Sequence, residues 1–143
     1  MPEPDPRIAE ALQWFSWASG DLVGARADLE NDDLPVRLAA VRAQQAAENA
    51  LKAALICADV DVAKVHNLNG LRNALPPEWS IHQSHTDLSE LSDAFLTRYP
   101  DKAFEIPRTD AERLVEEAAA VCSSLIIDAA RLAGLEPNAV TSQ

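Results

Sequence analysis

The run VRAQQAAENALKAALICA, residues 41–58, constrains this chain more than any other stretch. Wound as a helix at about 100° per residue, it places Ala47, Ala50, Leu51, Ala54 and Leu55 on one broad apolar arc. Alanine is the best helix former, and its small side chain lets a neighbouring helix backbone come close, as the centre of a bundle requires. Gln45, Glu48 and Lys52 follow at i, i+3 and i+7 as a polar stripe on the shoulder of the arc, while Arg42 and Asn49 are expected to face away. Polar groups beside a packed face must be paired, since a buried orphan costs about 1–3 kcal/mol. One reading of the stripe is a structural network, with Glu48 bonded to Lys52 and Gln45 donating to a neighbouring backbone. The other is a polar pocket or a partner-facing groove.

A chain of 143 residues is long enough to bury a core without disulfides or a metal and is expected to form one domain. Scarce glycine and abundant alanine and leucine favour helices packed on helices. No apolar run approaches the roughly 20 residues that span a bilayer. The opening MPEPDPRIAE is acidic and proline-rich, unlike a signal peptide. Cys57 and Cys122 fall inside helical apolar patterns and behave as small hydrophobes of a reducing compartment, which makes the cytoplasm the default location. The net charge of −11 and the scattered basic residues argue against general nucleic-acid binding, which needs basic patches, and suit a basic protein partner.

Taken in order, residues 1–6 are expected to be a disordered lead-in, 7–134 a helical bundle and 135–143 a flexible tail. Ile8, Leu12, Phe15, Leu22, Ala25 and Leu29 predict a first helix over 7–30, with Trp14 and Trp17 flanking its stripe and Asp21 continuing their side. Asp33 is expected to cap a second helix over 34–58, with Pro35 in its first turn. His66-Asn67-Leu68 opens a short helix stopped by Pro76-Pro77. His82, His85 and Asp87 lie in or next to a polar loop over 76–86, and three such residues without a fourth ligand are a weak metal signal. Further helices are predicted over 86–98, stopped by Pro100, and over 109–132, started by a Thr109–Glu112 capping box and ended by Gly134. Four long helices and a short one make an all-α, antiparallel up-and-down bundle.

Motifs spread along the chain resemble the HEPN family (higher eukaryotes and prokaryotes nucleotide-binding domain). Trp14, Ala18, Asp21-Leu22 and Ala25 are similar to its W-x3-A-x2-DL-x2-A opening. Ala43-Gln44-Gln45-Ala46-Ala47-Glu48 followed by Ala50-Leu51-Lys52-Ala53 is similar to its AQQAAEKALKA helix, and Arg98-Tyr99-Pro100-Asp101 to the RYPD segment of a prokaryotic branch. His66-Asn67-Leu68 resembles its His-(Asp/Asn)-Leu turn. The resemblance covers residues 14–128 and implies a helical bundle that usually dimerises. It also implies frequent pairing with a minimal nucleotidyltransferase, commonly in toxin–antitoxin modules.

Several branches of that family are RNases whose catalytic pair is Arg-x4-6-His, the histidine as general acid or base and the arginine on the phosphate. Here the last helix has no histidine, and none of His66, His82 or His85 has an arginine at that spacing. Arg42 replaces a histidine the family often carries before AQQAAE, and Asn49 replaces the lysine after its glutamate. The resemblance therefore implies a non-catalytic binding subunit without a cofactor, associating with a nucleotidyltransferase, a nucleotide, or both. Gln45, Glu48, Lys52, His66, Arg98, Tyr99 and Asp101 are its candidate binding residues. In that reading Arg98 meets phosphate or an acidic partner residue, Lys52 adds charge and Tyr99 stacks. In a purely structural turn, Arg98 pairs with Asp101 and Tyr99 fills the core. The alternatives are an RNase using His66 with Arg98, or a scaffold that only dimerises, with Gln45, Glu48 and Lys52 fully buried and mutually satisfied.

Overall fold

The alanine-rich run forms the central helix of an all-α domain. The computed structural model describes residues 5–61, 67–92 and 106–141. Helix α1 spans Pro6–Glu30, α2 Arg37–Cys57, α3 Leu68–Ala74, α4 Ile81–Ser84, α5 Ser89–Ser92 and α6 Arg108–Ala133. There is no strand among the described residues. No helix among them is long and apolar enough to cross a membrane.

Helix α2 packs against both α1 and α6 because its alanines leave the room. Ala39, Ala40, Ala43, Ala46, Ala47, Ala50, Ala53 and Ala54 are all fully buried, together with Leu51 and Leu55. The approach to α6 is close enough for the Cys122 thiol to donate to the Ala46 carbonyl at 3.7 Å. Arg108 at the start of α6 reaches the Leu29 carbonyl near the end of α1, and further along α6 Glu116 meets Arg26, three residues back along α1, at 3.5 Å; past the end of α6, Thr141 N donates to Ser16 Oγ at 3.1 Å. Helix α6 therefore runs antiparallel to α1.

Several boundaries differ from the sequence expectation, each for a local reason. Asp5 is no part of a loose lead-in: its side chain accepts from Arg7 N and caps α1, with Pro6 in the first turn, where a missing N–H costs nothing. Asp33 caps nothing. Asn31 Oδ1 instead accepts from Asp33 N, and the chain turns through Leu34 and Pro35 before α2 starts at Arg37. The Thr109–Glu112 box does not form, because α6 already begins at Arg108, directly after Pro107. The helix expected over 86–98 starts only at Ser89, where Asp87 Oδ1 accepts from Ser89 N at 2.9 Å; its part beyond Ser92 lies outside the described residues. The loop expected over 76–86 contains the short α4 and buries Trp79 and Ile81.

Gly134 ends α6 with φ of 76°, in the left-handed region glycine accepts without strain, and both its N–H and that of Leu135 turn back to the Ala129 carbonyl. The segment beyond it, expected to be a free tail, packs back on the bundle as far as Thr141. Leu135 is buried and Pro137–Ala139 form a single 3₁₀ turn.

A second polar anchor joins α6 to the α3–α4 connection. Asp128 is buried at 3% exposure, and its Oδ2 accepts from Ser80 N at 2.6 Å and Ser80 Oγ at 2.5 Å. Arg131 donates to Asp128 Oδ1 at 3.0 Å and to the Glu78 carbonyl at 3.2 Å. Burial pushes the Asp128 carboxyl up, but the Ser80 and Arg131 contacts together hold it below the ordinary carboxylate value.

Candidate functional site: the polar seam between α1 and α2

Along α1, Trp14, Trp17, Asp21, Gly24 and Asp28 recur at alternating steps of three and four, so they share one side of the helix. That side meets the shoulder of α2. Asn49 Nδ2 donates to Asp21 Oδ2 at 2.9 Å. Seven residues on along α1 and seven back along α2, Arg42 Nε lies 2.7 Å from Asp28 Oδ2. These two rungs fix the antiparallel register of the helices. Arg42 and Asn49, expected to face away, are thus the residues that bind α1. The reason is that α1 covers the flank of α2 next to the stripe as well as its alanine arc.

The Asp28 rung is held by charge more than by an aligned hydrogen bond, since the same oxygen is buried without a hydrogen-bond partner. Gly24 leaves room for the Arg42 side chain at this rung: a Cβ there would stand 2.7 Å from Arg42 Nη1 and 3.2 Å from Arg42 Cδ, so the guanidinium would have to shift. The Asp21 carboxyl is raised above the ordinary value, chiefly by desolvation, which the Asn49 hydrogen bond and the Arg42 charge offset only in part.

The predicted stripe lies beside these rungs. Lys52 Nζ meets Glu48 Oε2 at 3.0 Å, as expected at i+4, and also stands 5.6 Å from the centroid of the Trp14 ring. Gln45 does not donate to backbone: its Nε2 donates to Gln44 Oε1 at 3.2 Å, and buried Gln44 passes the chain on to Glu48 Oε1 at 3.2 Å. The amide of Gln44 fills the gap on the buried side that the expectation gave to a carbonyl. Glu48 and Lys52 are half-buried and mutually paired, whereas Gln45 is exposed. The stripe is therefore only partly a closed network.

What remains open is a cavity of about 340 Å³ lined by Trp17, Gly20, Asp21, Gln45 and Asn49. Trp17 keeps 39% of its surface exposed at the rim, its ring edge-to-face with Trp14 at 5.0 Å. Of the candidate site residues, Gln45 lines this cavity, and Glu48 and Lys52 brace it. His66, Arg98, Tyr99 and Asp101 lie outside the described residues, as does the proposed His66–Arg98 pairing. Asp21, Asn49 and Trp17 join the site although the stripe alone did not point to them.

The histidines and acid of the weak metal set are dispersed. His82 Nε2 sits 2.9 Å from the Leu75 carbonyl and 3.1 Å from that of Pro76, while His85 Nδ1 meets Ser84 Oγ at 2.9 Å. Asp87 instead holds Ser89 and Asn69, and these hydrogen bonds keep its carboxyl at about 2. Among the described residues, no group of three such side chains could hold a metal ion.

A family model described as HEPN domain matches residues 11–127, from the first turns of α1 almost to the end of α6. The chain belongs to the HEPN family. Both helices of the seam lie wholly or almost wholly inside the match, so the cavity is part of the HEPN domain and no appendage to it. No curated protein and no solved structure matches the chain.

Proposed function

We propose that this HEPN domain is a non-catalytic binding subunit of the cytoplasm. It forms a homodimer and docks a minimal nucleotidyltransferase, a nucleotide, or both, as one half of a toxin–antitoxin type module. The observation that carries this reading is the half-satisfied seam. Asp21, Gln45 and Asn49 border an open cavity with a tryptophan at its rim, in a HEPN sequence without the Arg-x4-6-His pair. A scaffold with no ligand would gain nothing from leaving a desolvated carboxylate at the mouth of a cavity.

Between the two ligands, the seam favours a protein. Lys52 is committed to Glu48 and Arg42 to Asp28, which leaves no unpaired cation among the cavity-lining residues to meet a phosphate. In this reading a nucleotide phosphate is met by Arg98.

The test is sedimentation of the full chain alone and with a co-expressed minimal nucleotidyltransferase. The reading expects a dimer mass alone and a stoichiometric complex with the transferase, lost in Asp21→Arg while the dimer persists. A monomer that forms no complex with the transferase would overturn it.

A further inference from the structure

We propose that the cavity between α1 and α2 is a guanidinium site that receives an arginine side chain of a partner protein. This rests on the protein-binding form of the function above. The argument starts from which atoms of the lining are already used. Asn49 spends an amide N–H on Asp21, and Gln45 spends one on Gln44. Each amide keeps its oxygen as an acceptor, beside one further N–H. With the Asp21 carboxylate, the cavity presents acceptors from two helices and a tryptophan ring, and Gly20 adds no side chain.

A ligand complementary to this lining must be flat, cationic and rich in donors. Guanidinium is all three. It offers five N–H donors in one plane, pairs with a carboxylate in a fixed fork, and stacks on an indole face. An ammonium would use the charge but neither the plane nor the ring. A phosphate would meet the Asp21 carboxylate and no unpaired cation, since Lys52 is paired with Glu48 and Arg42 with Asp28. The half-buried Asp21, raised mainly by desolvation, regains in such a pair what it lost by leaving water. The net charge of −11 draws basic segments of a protein toward the surface and repels a free nucleotide.

The experiment titrates the ¹⁵N-labelled full chain with the blocked tripeptide acetyl-Gly-Arg-Gly-amide and follows the side-chain amides of Asn49 and Gln45. Saturable shifts are expected, at least tenfold weaker in Trp17→Ala and in Asp21→Asn, the latter keeping a side-chain partner for Asn49. The citrulline tripeptide, uncharged but of the same shape, is expected not to saturate, and the lysine tripeptide to bind at least fivefold more weakly. Equal response to arginine and citrulline would overturn the proposal, as would shifts with guanosine monophosphate but not with the peptide. Tighter binding of free arginine than of the blocked peptide would reassign the site to a small molecule and overturn the partner-protein source. If the transferase complex forms while the arginine peptide does not bind, this inference fails and the function above stands.

Discussion

Asn49 of α2 and Asp21 of α1 are joined at 2.9 Å, the first of two rungs that set α2 against α1. Desolvation raises the Asp21 carboxyl, and the Asn49 hydrogen bond is the largest influence acting against it. Asn49→Ala is therefore expected to raise the Asp21 pKa further and to cost about 1 kcal/mol of stability at neutral pH. A carboxyl whose folded pKa lies above its ordinary 3.8 weakens the fold above the folded value and no longer does so below 3.8. The penalty of Asn49→Ala should accordingly shrink as pH falls through that window. Carboxyl carbon resonances followed with pH, beside urea unfolding, would show both effects.

Gly24 and Arg42 offer a double-mutant cycle. Gly24→Ala gains about 1 kcal/mol of helix propensity, but its Cβ would displace the guanidinium from Asp28. In an Arg42→Ala background the clash is gone, so there the substitution is expected to stabilise by about that amount. In the wild-type background the gain should be smaller or reversed. Additive effects across the cycle would show that Arg42 does not need the space Gly24 leaves.

Asp128 is the buried acid whose loss should be felt most. Asp128→Ala strands Ser80 N and Oγ and leaves the Arg131 guanidinium without its carboxylate, for an expected loss of about 3 kcal/mol in urea unfolding. Its folded pKa is lowered, so its contribution is complete above 3.8 and disappears as pH falls below that value. Exposed Asp87, held at about 2 by Ser89 and Asn69, follows the same sign over the window from 3.8 down to about 2. Wild type and Asp87→Asn should thus converge in stability towards pH 2.

The thiols report on the interior. Cys57 and Cys122 are both free and buried, and desolvation pushes their pKa values up to about 11 and about 12. Native protein at pH 8 is expected to react with a thiol reagent only through unfolding, so urea should release both cysteines together. Rapid labelling of Cys122 in the native state would contradict the tight α2–α6 packing around Ala46.

The bundle was legible because its signals are local. The alanine arc of α2, the apolar face of α6 around Leu114, Ala118, Val121 and Leu125, and the Gly134 stop all depend on one helix at a time. The α1 stripe was legible in outline only: its buried line runs through Ala11, Phe15, Ala18, Ala25 and Leu29, with Ile8, Leu12 and Leu22 at its margin. The candidate site was half legible. The Glu48–Lys52 pair follows from spacing within α2, but the Asp21–Asn49 and Asp28–Arg42 rungs depend on the register between two helices. A signal for them existed in the chain: acids seven apart on the Trp14–Trp17 side of α1, and polar partners seven apart on α2. The docked tail was not legible, since Leu135 and Val140 carry no periodicity that tells them apart from a free end.

The most direct test of the seam as the binding surface uses the three tryptophans of the ¹⁵N-labelled chain. Trp14 and Trp17 lie in the seam, while Trp79 is buried in the α3–α4 connection and serves as the internal control. On addition of the co-expressed nucleotidyltransferase, the indole N–H resonances of Trp14 and Trp17 are predicted to shift or broaden while that of Trp79 stays in place. A complex that leaves both seam indoles unmoved would contradict the account.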